Sequence, residues 1–243
     1  MTQEKLDALL KPLIKNAIKM TPHADENAES ASCESKFGGL PYAEENDSWP
    51  CCPRCKNDLT FIVQLKSKAE DTLFVFYYCV ECFPWGLGDE EKGLWVAKFY
   101  TSTTMDRYAL IQPSSELEYP VIPCRITESD TTVLPDWDGV DSLSGKVTDL
   151  CSEINEESPW EAFNEAIERS GTLETFASLL GGYPRHVQSE ISCQCTKCNS
   201  EMEFFAQIDS EEEAGIMWGD VGLVYFFRCS EHKDEVRMEL QCH

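Results

Sequence analysis

Cys52-Pro53-Arg54-Cys55 recurs 143 positions later as Cys195-Thr196-Lys197-Cys198, and each copy sits inside a longer matched run. In the first, Gly38-Gly39-Leu40-Pro41 leads to the cysteine pair and then to Phe61 and Gln64. In the second, Gly181-Gly182-Tyr183-Pro184 leads to the pair and then to Phe204 and Gln207, every offset again 143. Further on, Cys79-Val80-Glu81-Cys82 answers to Cys229-Ser230-Glu231-His232 at an offset of 150. A seven-residue insertion around Glu211 to Gly215 accounts for the change. The chain therefore reads as a duplicated unit with four metal-type side chains in each copy.

Two thiols three residues apart on one tight loop can grip one side of a tetrahedral ion, and a second such pair completes it. The expected ligand sets are Cys52, Cys55, Cys79 and Cys82, and Cys195, Cys198, Cys229 and His232. Two knuckles separated by strands make the spacing of a zinc ribbon. With four protein ligands each, both sites are closed, so two structural Zn²⁺ ions are expected and no metal-bound water. A redox reading of the Cys-x-x-Cys pairs lacks the surrounding βαβ pattern. Cys51, Cys193, Cys242 and His243 lie near enough to substitute as ligands, though Cys51 and Cys193 fall outside the matched offsets. Cys33, Cys124 and Cys151 read as packed or free thiols.

Residues 1–20 carry charges throughout and no apolar core segment, so no secretory signal is expected ahead of the 13 cysteines. Thiols and thiolate–metal sites of a reducing, cytoplasmic setting are expected in place of disulfides. There is no apolar run long enough to span a membrane. The formal net charge is −24, and residues 113–168 hold 14 acidic and two basic side chains, a net −12. Such a surface repels phosphate backbones, so no nucleic acid is expected, and it favours a basic protein partner or serves solubility alone. Oligomeric state is not legible.

Taken in order, residues 2–19 space Leu6, Leu9, Leu10, Leu13, Ile14 and Ile18 as an amphipathic helix that Pro12 would kink. Five segments result: residues 1–20, an N-terminal helix; 21–35, an acidic linker; 36–112, a first β-rich repeat; 113–180, an acidic connector with helices; 181–243, a second β-rich repeat. Strands are expected at 59–65, 73–79 and 94–100, and again at 202–208, 221–229 and 236–241, and residues 108–112 and 121–126 could add two more. Residues 134–139 read as turn. Ser158-Pro159-Trp160-Glu161 signals a helix start with a capping box, running to about Arg169 before Gly171, and a short second helix is expected at 173–180.

No serine elbow, P-loop or HExxH motif is present. His23 and His186 stand in no motif, and Trp137, Asp136 and Asp220 are the weak candidates for an enzymatic site between the halves. Trp49, Trp137 and Trp218 could line a groove there, or serve as core.

Lys36-Phe37-Gly38-Gly39-Leu40-Pro41, Trp49-Pro50, residues 59–64 and Met217-Trp218-Gly219-Asp220-Val221-Gly222 through Phe227 together resemble the YwqG-like family, a domain of unknown function. The resemblance extends over residues 36–242 and implies a β-rich fold of two similar halves, with no catalytic residues to carry over. The first ribbon, with residues 73–79, also resembles the programmed-cell-death-protein-2 group, which is implicated in chaperoning a basic ribosomal protein. The expectation is an α+β protein of two pseudo-repeated β-rich halves, each with a zinc-ribbon-like knuckle pair, flanked by a few helices. Its function would be that of a non-enzymatic interaction or chaperone-like module. The alternatives are an enzyme with its site between the halves and a purely structural protein.

Overall fold

The computed structural model describes residues 2–86 and 88–243. Ten strands form one antiparallel sheet: β1 (Lys15–Ala24), β2 (Lys36–Phe37), β3 (Thr60–Ser67), β4 (Thr72–Tyr78), β5 (Trp95–Thr101), β6 (Cys124–Val133), β7 (Ser178–Leu180), β8 (Glu203–Asp209), β9 (Leu223–Arg228) and β10 (Val236–Gln241). Their spatial order is β10-β9-β8-β7-β1-β6-β2-β3-β4-β5. Four helices join them: α1 (Thr2–Leu10), α2 (Trp137–Leu143), α3 (Gly145–Ile154) and α4 (Pro159–Ser170). None of the described helices is long and apolar enough to cross a membrane.

The strand order reads the same when β1–β5 are exchanged with β6–β10. Register follows the same exchange. Lys36 pairs with Gln64 and Leu179 with Gln207, and the bulge at Phe61/Val63 in β3 recurs at Phe204/Ala206 in β8. At the centre, β1 and β6 pair along ten residues, and the exchange maps the opposed pair Thr21 and Thr127 onto itself. The first strand of each set pairs with the other set, β1 with β7 and β6 with β2. The two sets are therefore interlocked in one sheet and are not separate bodies.

The sheet curls until its ends almost meet. Phe226 of β9 lies edge-on to Phe74 and Phe76 of β4, with centroids 4.9 and 4.7 Å apart. Leu240 N–H donates to Trp85 O across the gap at 3.0 Å. This enclosed aromatic core includes Trp218 against Tyr78. The outer faces carry their own clusters. Leu59, Val75 and Tyr77 lie under the first cysteine loop, Tyr225 and Met202 under the second, and the helices close around Leu6, Val147 and Phe163.

Several sequence expectations change. The N-terminal helix ends at Leu10, because Pro12 lacks the donor that would continue it, and residues 15–24 become a central strand whose Met20 and Ala17 serve opposite faces. Residues 134–139 are not merely a turn: Asp136 accepts from Gly139 N–H and caps α2. Helix α4 starts at Pro159 and stops at left-handed Gly171 as expected, but Ser158 makes no side-chain cap. The second helix expected at 173–180 is absent. Leu179 and Leu180 instead pair with β1 and β8. Tyr108 makes only an isolated bridge to Glu44. The acidic stretch at 113–168 divides among a loop, strand β6 and helices α2–α4.

Candidate metal centres

Each cysteine loop is a tight turn standing on the outer face of a hairpin. Cys52 N–H donates to Asn57 O and Lys56 N–H to Cys52 O. At the second loop Cys195 N–H donates to Ser200 O and Asn199 N–H to Cys195 O. Lys56 and Asn199 take positive φ at the same place in the two loops. The second pair of each set lies just past the last residue of β4 or β9, which aims it at the first.

The eight expected ligands are brought together as two sets, and within each the ligand atoms all lie within 4.8 Å of one another. In the first, Cys52 Sγ is 3.7 Å from Cys82 Sγ and Cys55 Sγ is 3.6 Å from Cys79 Sγ. In the second, Cys198 Sγ is 3.6 Å from Cys229 Sγ, and His232 Nδ1 is 3.8 Å from both Cys195 Sγ and Cys229 Sγ. A tetrahedral ion with sulfur at about 2.3 Å separates neighbouring sulfurs by about 3.8 Å, so both sets are spaced to hold a metal ion. Backbone N–H groups support the sulfurs: Cys55 N–H points to Cys52, Cys82 N–H to Cys79, and His232 N–H to Cys229 at 3.2 Å. Such bonds orient ligands and favour the thiolate.

One thiol in each set is acidic. Burial raises Cys52, but the N–H groups of Cys55 and Arg54 outweigh it and bring the thiol to about 7. Ser200, through its N–H and then its hydroxyl, lowers Cys198 to about 6. A thiolate available at neutral pH suits a metal ligand, since metal binding requires deprotonated sulfur.

The substitute ligands stay outside both sets. Cys51 is exposed and its thiol donates to Lys56 O at 3.1 Å. Burial pushes Cys193 up to about 12. Cys242 packs on the turn at Gly219 and Gly222, and His243 lies beside Phe176.

The enzymatic candidates do not converge. Asp220 accepts His243 N–H through its backbone carbonyl, and Trp137 packs on Phe163 in the helical layer. Asp136 meets His186, a contact that no sequence motif signalled. Its carboxylate accepts from His186 N–H at 2.6 Å and lies 2.9 Å from Nδ1, while Ile191 N–H donates to Nε2 at 3.3 Å. Burial raises the Asp136 carboxyl, and the His186 and Gly139 hydrogen bonds more than reverse that. Both imidazole nitrogens are occupied, so the pair ties the 185–191 loop to α2 and leaves no free base.

Two clefts of about 430 Å³ flank the double-glycine turns. The first is lined by Leu40, Trp49, Phe61 and Val121; the second holds Lys15 with its ammonium 4.0 Å from the centre of Tyr183.

The profile of a domain of unknown function, DUF1963, matches residues 35–232. No curated protein matches the chain.

Proposed function

The chain belongs to the DUF1963 family, a domain of unknown function, and on that premise we propose that it is a zinc-bound interaction module built from a duplicated unit. The observation that carries this reading is the pair of four-ligand sets, standing on matched hairpins. Thiolate-rich tetrahedral sets favour zinc over harder cations. Ions held by four protein ligands have no coordination position left for substrate, so they act as scaffold.

The duplication is supported at the level of single hydrogen bonds. Buried Gln64 accepts from Tyr42 N–H and donates to Glu34 O, and Gln207 accepts from Arg185 N–H and donates to Ala177 O, each partner 143 positions on. The resemblance of the Gly-Gly-x-Pro and Trp-Gly-Asp stretches to YwqG-like proteins agrees with this reading. A chain of net charge −24 attracts a basic protein segment and repels nucleic acid. The chaperone-like role of the second resembling group is the nearest expectation for such a partner.

The test is fluorescence anisotropy of a labelled lysine-rich unstructured peptide against zinc-loaded protein. Binding is expected to weaken steeply from low to physiological salt. It is also expected to weaken when Glu156, Glu157, Glu161 and Glu165 become glutamine. Salt-insensitive binding, or none, would refute the electrostatic reading.

A further inference from the structure

Strands β5 and β10 end the sheet, and their outer edges differ. Cys79 N–H donates to Leu94 O, and Ser102 N–H donates to Asp71 O. Antiparallel pairing alternates, so Val96, Lys98 and Tyr100 turn their backbone groups toward β4, while Trp95, Ala97 and Phe99 turn theirs outward. Among the described residues, nothing hydrogen-bonds to those three residues' outward N–H and C=O groups, and only at the strand's end does Arg107 cap the outward C=O of Thr101, at 3.0 Å.

At the other end Cys229 N–H donates to Glu235 O, which turns Val236, Met238 and Leu240 outward. That edge is covered. Leu240 N–H donates to Trp85 O, and Gly86 sits so close to Met238 O that a Cβ there would be 1.7 Å from it. Two equivalent edges thus have opposite fates: the first set's own loop seals β10 and leaves β5 open.

Natural sheets blunt open edges with prolines, bulges or free charges. β5 has no proline, and its ladder with β4 runs without a bulge. Its one lysine, Lys98, is neutralised by Asp47 at 2.7 Å.

We propose that the β5 edge is the docking strand for an extended, lysine- or arginine-rich segment of a partner protein, added by β-augmentation. This rests on the interaction-module reading and gives that module its binding strand. The local charge selects the occupant. The nearby cations are already paired: Lys98 with Asp47, Lys66 with Asp71, Arg107 with Glu44 and Arg228 with Glu70. Asp71, at one end of the strand, is matched by Lys66, while Glu91, whose carbonyl accepts Leu94 N–H at the other end, has no cationic partner among the described residues. The surplus is negative. A second copy would bring another −24 to the same edge and is repelled.

The experiment uses the zinc-loaded full chain and a synthetic peptide of about eight alternating valines and lysines, long enough to line a strand of this size. Valines would sit beside Trp95 and Phe99 on the inner face, and lysines beside Asp47 on the outer. Peptide is expected to slow amide exchange at Trp95, Ala97 and Phe99 and to leave Val236 and Met238 unchanged. Ala97→Pro removes one outward donor and obstructs strand approach without touching the β4 ladder. It is expected to weaken binding at least about tenfold with thermal stability near that of the parent.

Equal binding by parent and Ala97→Pro, or exchange slowed elsewhere, would overturn the β5 assignment and leave the interaction module standing. No binding by the parent chain would remove both. A dimer in sedimentation that Ala97→Pro dissociates would assign the edge to a second copy and overturn the proposal. If Ala97→Pro does not fold, the exchange pattern of the parent chain decides.

Discussion

Cys55→Ser removes one ligand of the first set and leaves everything around it in place. Cys55 Sγ lies 3.6 Å from Cys79 Sγ and is supported by the Asn57 N–H, a contact the serine oxygen can keep, while the Cys55 N–H supports Cys52 Sγ. Structural zinc contributes roughly 10–16 kcal/mol of folding free energy, so one ligand in four accounts for about 3 kcal/mol. For a chain of this size, each kcal/mol moves the midpoint by about 2–4 °C, giving a fall of about 6–12 °C. The sheet decides the shape of the transition. Because β1 pairs with β7 and β6 with β2, and Phe226 packs on Phe74 and Phe76, neither set of strands can melt alone. Scanning calorimetry with metal analysis should therefore show one shifted transition, with the first ion still held by its three remaining ligands but stripped at a lower chelator concentration. The neighbouring Cys51→Ser is the control. It should keep both ions and change stability by less than about 0.5 kcal/mol, as an exposed position does. Two separated transitions, or zinc lost with no shift in midpoint, would refute this reasoning.

Three further outcomes follow from other parts of the molecule. Burial pushes the Glu211 carboxyl from 4.5 to about 7 while Ser178 bonds to it. The folded chain keeps this proton longer than the unfolded chain, so its contribution is complete below about 4.5 and is lost as pH rises through about 7. Urea melts of metal-loaded protein between about pH 5.5 and 7.5 should show stability falling with pH, and Glu211→Gln should flatten that slope. Phe226→Ala opens the core between the facing ends of the sheet and should cost about 3–5 kcal/mol in the same melts. Gly182→Ala should destabilise by at least about 1 kcal/mol, since φ is +83° there and the new Cβ would lie 2.5 Å from Val133 Cγ2.

The ligand sets were legible because metal chemistry constrains spacing locally: two thiols on one turn and two at a strand end recur whatever lies between them. The hairpins were legible too, since alternating aromatic and β-branched residues bounded by turns admit few readings. The central strands were not. Lys15–Ala24 carries leucine-like spacing inherited from α1, and only its partner Cys124–Val133, far along the chain, makes it a strand. The matched offset of 143 also stops short of these strands. Ile18, which pairs with Leu180, corresponds to Cys124, which pairs with Phe37, at a separation of 106. The helical insertion between β6 and β7 hides that relation. The His186–Asp136 contact likewise joins residues 50 apart with no local signature.

Metal content of the native full-length chain, purified without chelator or nickel, tests the central claim most directly. The expected result is two zinc ions per chain, with X-ray absorption showing sulfur at about 2.3 Å and a minor nitrogen shell at about 2.0 Å. Fewer than two metal ions in protein with all thiols reduced, or a redox-active iron in place of zinc, would contradict the account.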